Sequence, residues 1–593
     1  MSILNVNPEM IGPVVRLHSI HMIDFRNIED STIVFPNSTF SDISESKPSI
    51  LGLYGQNGSG KTTVVMALGL LKKLLSGESI DSKYGNCIRQ GCKFATLEFV
   101  FSIKGTIKSM DRDNQELINL CTEGLDNSRC EVTYKLDITN IKRTTSGSET
   151  DVILIENEQF SLKILDSLNN VVMPKQVFVD TTESLCNFKM QSFGNKTKFK
   201  LLTGDDEEVQ AELFKNKAIT RANSQSFIFS KDFFCLLYNR YLKDVEKNKT
   251  FSNILTDMFI DYQKIRGMSD SELNSSTVED FYEKFRDFVI EGARIFKLGF
   301  SATDVISADE DRLLEMSSEL FKCTELTNQI SKGCLFDSLS YLIMFAEDKL
   351  HIIDTFSMGV INVNNELPLI LKKYKEPLEK AGELVSSYET IILNMNEPTE
   401  IDDASYPSIK KSIQRLSEVI STVVPELKLN IEDYGIRING NNERKRVIDV
   451  LACRDGVSIP IKFESDGIRR LISIISPLVG VYNDPSVMLA VDEIDSGIFE
   501  FLLGELIQII SASGKGQLVF TSHNLRPLEV LPSKSLAFTT TNSKKRYTSI
   551  AARGNSNLRD TYFRSISLGT KTDEVYRSTD PFTIKQAFIL AGE

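Results

Sequence analysis

The segment Gly55-Gln56-Asn57-Gly58-Ser59-Gly60-Lys61-Thr62 constrains this chain more than any other, because it fits one kind of local structure. It matches G-x-x-x-x-G-K-[ST], a loop whose glycines let backbone N–H groups curl around phosphate oxygens where a side chain would intrude. Its flanks comply. Pro48-Ser49-Ile50-Leu51-Gly52-Leu53-Tyr54 reads as a buried strand, and Val64-Val65-Met66-Ala67-Leu68-Gly69-Leu70-Leu71 as a packed helix that starts near Thr63. In such a loop Lys61 reaches the β- and γ-phosphate oxygens, the Thr62 hydroxyl holds Mg²⁺, and the helix N-terminus adds its dipole.

At 593 residues the chain is several times the usual domain size, so two or three structural units are expected. No apolar run approaches the roughly 20 residues of a membrane span. The start, Met1-Ser2-Ile3-Leu4-Asn5, lacks a basic segment followed by an apolar core. Nine cysteines at irregular spacing suit a reducing compartment, and the expectation is a cytoplasmic protein. Cys87 and Cys92 form the closest pair, without a second Cys or His pair to complete a zinc site. The net charge of −13 argues against a surface built as a whole for nucleic acid. A local basic groove has two candidates: Lys189 to Lys200, where Lys196, Lys198 and Lys200 alternate with Thr197 and Phe199, and Lys544-Lys545-Arg546. Each is short enough to be a solvated edge.

Alternating segments around Val15 to Ile23 and Ser31 to Phe35 predict paired strands ahead of the loop strand. Thr96–Ile103, Glu131–Leu136 and Asp151–Ile155 predict a β-meander after the loop helix. From about Gly204 to Val423 the apolar spacing turns helical, as in Phe281, Phe285, Phe288-Val289, Ala293 and Phe296, without sustained heptads. Strands resume at Leu427–Ile431, Gly435–Ile438, Val447–Ala452 and Ile459–Phe463. The fold class is α/β, in three parts: 1–203 with the phosphate loop and meander, a helical insertion over 204–424, and 425–593.

The last part carries a second set of polar residues at strand ends. Val487-Met488-Leu489-Ala490-Val491 closes in Asp492-Glu493, where Asp492 would enter the Mg²⁺ shell and Glu493 would polarise an attacking water. A turn follows at Ile494-Asp495-Ser496-Gly497, and the next strand, Gln517–Thr521, closes in Ser522-His523-Asn524. His523 is one of four histidines in the chain and stands where it could touch a γ-phosphate. Upstream, Ser465 and Gly467 in Phe463-Glu464-Ser465-Asp466-Gly467-Ile468 offer a hydroxyl and a backbone N–H at a helix start, as an anion site, a helix cap at Ser465 or Asp466, or both.

In this order the elements resemble the ATP-binding-cassette ATPases, in the branch similar to chromosome-maintenance and lysogenization-defect proteins. The phosphate loop at Gly55 to Thr62 with Thr63, a signature at Ser465 to Gly467, the Asp492-Glu493 pair, a D-loop at Asp495 and a switch residue at His523 carry the resemblance. Phe25-Arg26-Asn27-Ile28 also looks like that branch. The likeness implies a mixed-sheet ATPase head, ATP and Mg²⁺ as ligands, and a homodimer or higher oligomer in which Ser465 of one subunit completes the site of another. It also implies hydrolysis by Glu493 with His523. The sequence departs from the pattern at Asp466 and at Ile498-Phe499-Glu500. The expected nucleotide-sensing Gln is replaced by Ser230 or the nearby Gln225. Relatives of this kind suggest an antiphage ATPase that controls a nuclease or toxin bound through the insertion, as in Septu, PARIS and retron-type systems. A DNA-repair ATPase and a stand-alone nuclease are the alternatives. The former would carry a long coiled coil or basic groove, and the latter a further acidic domain after His523.

Overall fold

The computed structural model describes residues 13–105, 129–145, 148–165, 169, 171–181, 189–191, 198–200, 207–233, 331–353, 366–374, 386–438, 444–550, 558–568 and 581–591, with short stretches inside 282–316. They divide into two compact units. One comprises Met1–Lys104, Thr133–Glu156 and Tyr341–Glu593, the other Gly105–Val132 and Asn157–Ser340.

The chain begins with β1 (Val14–Ile23), β2 (Asp30–Val34), β3 (Ser49–Tyr54), helix α1 (Lys61–Leu75) and β4 (Ala95–Lys104). Next come β5 (Arg129–Thr145), β6 (Ser148–Leu165), β7 (Val171–Asp180), β8 (Lys189–Gln191), β9 (Lys198–Lys200), α2 (Glu207–Ala222) and α3 (Ser331–Met344). Then follow β10 (Leu350–Ile353), β11 (Glu366–Tyr374), β12 (Ser386–Asn394), β13 (Thr399–Asp402), α4 (Tyr406–Val423), β14 (Lys428–Ile438), β15 (Arg444–Arg454) and β16 (Val457–Pro460). The last elements used below are α5 (Asp466–Asn483), β17 (Met488–Val491), α6 (Glu500–Ser513), β18 (Gln517–Thr521), β19 (Leu536–Thr539) and β20 (Tyr547–Thr548). No helix among the described residues is long and apolar enough to cross a membrane.

At the centre of the first unit lies a sheet in the order β10-β17-β18-β3-β19-β20. All its pairings are parallel except that of β19 with β20. Every residue of β3, β17 and β18 is buried, which is why these strands read as continuous apolar runs and not as alternating ones. Each fully buried Leu, Val or Phe among them contributes about 1.5–3 kcal/mol. The register sets Val491 beside Phe520 and Thr521 beside Leu53, so the carboxyl ends of the three strands finish level.

In a second sheet of the same unit β1 pairs antiparallel with both β2 and β4, and β5 lies next in order after β4. Two side chains stitch this sheet to the first. Gln517, at the start of β18, accepts from the Leu17 N–H (2.9 Å) and donates to the Leu17 carbonyl (2.9 Å). Arg16 is wholly buried and donates to the carbonyls of Pro485 (3.3 Å), Asn37 (2.7 Å), Lys47 (2.7 Å) and Lys515. A third sheet, β13-β15-β14 with β16, packs on α4, whose buried Ile409, Ile413, Leu416 and Ile420 follow the helical period. In the second unit β6 pairs antiparallel with β7, from Gln159 opposite Asp180 to Leu165 opposite Val171.

The stretch 204–424, expected to be mostly helical, is helical in α2, α3 and α4 but also carries β10 to β13. β11 and β12 form a hairpin from Glu366 opposite Asn394 to Tyr374 opposite Ser386. The signal was period-two spacing: Leu367 and Leu369 are buried on one face, with Leu393 across from Leu367. Of the spaced set used to infer helix, Phe285 and Val289 are buried beside Val305, while Phe281, Phe288, Ala293 and Phe296 lie outside the described residues. The strand expected over Ile459–Phe463 stops at Pro460, which lacks a ladder donor, and a 3₁₀ turn follows.

Gln517→Ala should cost about 2–4 kcal/mol, since it strands both backbone groups of the fully buried Leu17. Urea unfolding checks this, and an unchanged midpoint would mean that the amide does not join the sheets.

Candidate functional site

The glycine loop leaves the carboxyl end of β3 and needs its glycines for two separate reasons. Gly55, Gly58 and Gly60 have φ of 149°, 75° and 107°, where side chains are strained. A Cβ on Gly55 would also lie 1.8 Å from Thr539 Oγ1, and one on Gly60 would lie 3.3 Å from Arg546 Cγ. Helix α1 starts at Lys61, two residues earlier than expected, with Gly60 as its uncapped N-cap. The Thr63 N–H donates to the Gly60 carbonyl (3.3 Å), and the N–H groups ahead of it at the helix start are suited to an anion. The Lys61 ammonium folds back over the loop to donate to the carbonyls of Gly55 (2.8 Å) and Gln56 (3.1 Å). Burial lowers its pKa from the usual lysine value, and the carboxylates of Asp492, Glu493 and Asp495 oppose that shift.

Because the parallel strands end level, the acidic pair arrives beside this loop. Asp492 Oδ1 accepts from the Thr521 hydroxyl (2.5 Å) and the Thr62 hydroxyl (3.3 Å). Its N–H donates to the Ile353 carbonyl (2.8 Å). Glu493 has φ of 49°, a left-handed conformation uncommon outside glycine, and its N–H donates to Thr521 Oγ1 (2.7 Å). Beneath the pair, the buried Arg470 of α5 donates to the Asp492 carbonyl (3.0 Å). Burial lowers the Arg470 pKa, against the pull of Asp492, Glu493 and Asp495. His523 follows β18. Its backbone N–H and that of Asn524 donate to Asp495 Oδ2 at 3.1 and 2.9 Å.

These groups line one cleft of about 760 Å³, within the range of small-molecule sites. Asn57, Gly58, Gly60, Lys61, Thr62 and Thr63 face it from the loop and helix, and Asp492, Glu493 and His523 from the neighbouring strand ends. Arg26, Asn27, Asn86 and Asn140 are on its walls. Gly55, Gln56 and Ser59 support the loop without lining the cleft.

The remaining expected residues lie elsewhere. Ser465 caps α5, accepting from the Ile468 N–H (3.4 Å), and Asp466 pairs with Arg469 (2.5 Å). Gly467 meets the turn after Asp495, where a Cβ would sit 2.3 Å from the Gly497 carbonyl oxygen. Ser465, Gly467 and Asp495 do not line the cleft, and Asp495 bears on it through the backbone it holds and through its charge on Lys61. The turn closes with Ile498 N–H on the Asp495 carbonyl (3.2 Å), and exposed Phe499 precedes α6. Gln225 and Ser230 belong to the second unit, where the Ser230 hydroxyl donates to the Phe227 carbonyl (2.7 Å). Of the basic candidates, Lys196 lies outside the described residues, Lys544 is exposed and pairs with Glu29 (3.3 Å), and Arg546 is buried. Lys544-Lys545-Arg546 is therefore not a uniform basic edge. The Arg546 guanidinium donates to the carbonyls of Thr540 (2.8 Å) and Asn27, a role its neighbouring lysines concealed.

No family model matches the chain, and no curated protein matches it. Among solved structures it is similar to the Smc head domain with an extended coiled coil bound to the C-terminal domain of ScpA, derived from Pyrococcus furiosus. That likeness has 11% identity, covers 91% of this chain and 96% of that chain, and has a TM-score of 0.33. It is also similar to the Smc head domain with a coiled coil and joint from Pyrococcus yayanosii, at 12% identity over 91% of this chain and 97% of that one, with a TM-score of 0.32. A third similar structure is the SmcHead bound to the C-winged helix domain of ScpA, at 10% identity, 90% and 97% coverage, and a TM-score of 0.31. The assignment of the site rests on the geometry above.

Gly55→Ala should abolish binding of phosphate ligands to the cleft while β3 and α1 still form, because the new methyl displaces Thr539 and the loop with it. Titration calorimetry checks this, and wild-type affinity would show that the loop tolerates a different shape.

Proposed function

We propose that this chain binds ATP with Mg²⁺ in the cleft and hydrolyses it, and that the working unit is a pair of chains. One observation carries the reading. A glycine loop with its lysine shares a cleft with an acidic pair and a histidine more than 400 residues away, and Thr62 and Asp492 meet at 3.3 Å. The Thr62 hydroxyl and Asp492 carboxylate are hard oxygen donors, the kind Mg²⁺ prefers, and when bound the ion neutralises charge on the β- and γ-phosphate oxygens. The loop amides and Lys61 hold the phosphates. Glu493, fixed by its strained backbone and its bond to Thr521, orients and polarises the attacking water. His523 supplies a polar contact at the γ-phosphate end.

Pairing is supported by where Ser465 sits. It heads an 18-residue helix yet does not line its own cleft, so its hydroxyl and the adjoining N–H groups are offered to the nucleotide of a second chain. ATP would then join two chains and hydrolysis would release them. In the setting we favour, this cycle governs a second protein, a nuclease or toxin docked within 204–424, as part of antiphage defence. That role draws its support from the motif resemblance. In this reading Glu493 and Asp492 are committed to ATP and the chain itself is no nuclease.

Lys61→Ala should abolish ATP binding. Glu493→Gln should keep it, stop turnover and trap a dimer on size exclusion; normal hydrolysis by that variant would move the catalytic role elsewhere. Ser465→Arg should bind ATP but not turn it over. Mixed with Lys61→Ala it should regain at most one composite site per heterodimer, whereas inactive mixtures with proven heterodimers would count against sharing between chains. Plasmid, single-stranded DNA and tRNA should all stay intact with the purified protein. Cleavage that persists in Glu493→Gln after repurification would make a stand-alone effector the better reading.

A further inference from the structure

The phosphate loop is shaped from behind by the β19–β20 hairpin, where Thr539 pairs with Tyr547 across the strands. The Thr539 hydroxyl donates to the Tyr54 carbonyl (3.2 Å) and bonds the Ser59 hydroxyl. Arg546 holds the Asn27 carbonyl, while Asn27 Nδ2 donates to the Gly58 carbonyl (2.7 Å) and Asn27 Oδ1 accepts from Thr63 (3.2 Å). Tyr547 Oη donates to the Gly60 carbonyl at 2.9 Å. Tyr547 does not line the cleft, whereas Gly60 and Lys61 do.

In a trans peptide the C=O of one residue and the N–H of the next point in opposite directions, and no peptide among the described residues is cis. Holding the Gly60 carbonyl toward the hairpin therefore aims the Lys61 N–H away from it, toward the side of the loop that meets the cleft. Gly60, at φ 107°, has no side chain to stop this peptide from turning over. Two donors hold it instead: the Thr63 N–H reaches the Gly60 carbonyl from the helix side (3.3 Å), and the phenol reaches it from the hairpin side. Resting on the ATP reading above, we propose that Tyr547 is a positioning residue for phosphate binding, fixing the Gly60–Lys61 peptide so that its N–H is ready for a phosphate oxygen. Burial pushes the phenol well above its usual pKa, so the donor proton stays in place across the working pH range.

Tyr547→Phe keeps the ring and removes only the donor. Affinity for MgATP should fall about five- to tenfold, the value of one ordinary hydrogen bond. Affinity for inorganic pyrophosphate should fall by the same factor, because the misaimed N–H serves phosphate and not the nucleoside. Turnover should show a raised KM with kcat unchanged, the pattern of lost uniform binding. Wild-type affinity for both ligands in Tyr547→Phe would overturn the inference and leave the ATP reading standing. So would weakened ATP with unchanged pyrophosphate, or a fall in kcat at constant KM. If the wild-type protein binds neither ligand, the ATP reading fails and takes the inference with it.

Discussion

One carboxylate oxygen, Asp492 Oδ1, ties the site together. It accepts hydroxyl protons from Thr521 on the neighbouring strand and from Thr62 at the start of the loop helix. A buried carboxylate is costly unless such donors meet it. They meet it because β17, β18 and β3 run parallel in a register that ends all three strands at one level. Slipping one strand by a single residue would turn Asp492 or Thr521 to the other face of the sheet. The chemistry of the cleft is thus a consequence of sheet packing, and the apolar runs that fill the core are what hold its acids in place.

Strain gathers at the same place. Arg26 and Glu493 both line the cleft and both have left-handed backbones, at φ 54° and 49°. Neither is a glycine, and such conformations last only where surrounding bonds over-determine them. For Arg26 one such bond runs from its N–H to the Cys87 carbonyl (2.7 Å), and for Glu493 another runs to Thr521. The wall formed by residues 24–29 is braced further by Arg89, whose guanidinium pairs with Asp24 (3.2 Å) and Glu29 (3.1 Å).

The parts of this architecture that are legible in the sequence obey short-range rules. The glycine loop, the strand before it, the helix after it and the acids closing β17 each show themselves within about ten residues. So does the Ser465 cap. Arg470, Thr539, Arg546 and Tyr547 do not, because each acts on backbone that is distant along the chain, Asn27 in the case of Arg546, and a buried arginine beside Lys544 and Lys545 resembles a solvated charge. The β11–β12 hairpin was hidden for another reason: its alternation is brief and lies in a region where helical spacing dominates. That Ser465 and the phosphate loop would not share one cleft could be foreseen only through the family resemblance, since the order of two motifs carries no information on whether their ends meet.

Arg16 sets a different kind of requirement, one of time. Its guanidinium is buried, its pKa is pulled down to about 10 by that burial, and the carbonyls that satisfy it come from residues 37, 47, 485 and 515. The two nearby carbonyls leave the ribosome soon after Arg16 itself. The last arrives 499 residues later, and at roughly 5–20 residues per second that is a wait of about 25–100 s. Throughout that interval β1 cannot close over its charge without leaving N–H groups unpaired. The N-terminal strands of a nascent chain must therefore stay hydrated or be sheltered by a chaperone, and the cleft is completed only once residues 492–523 have followed the loop out of the ribosome.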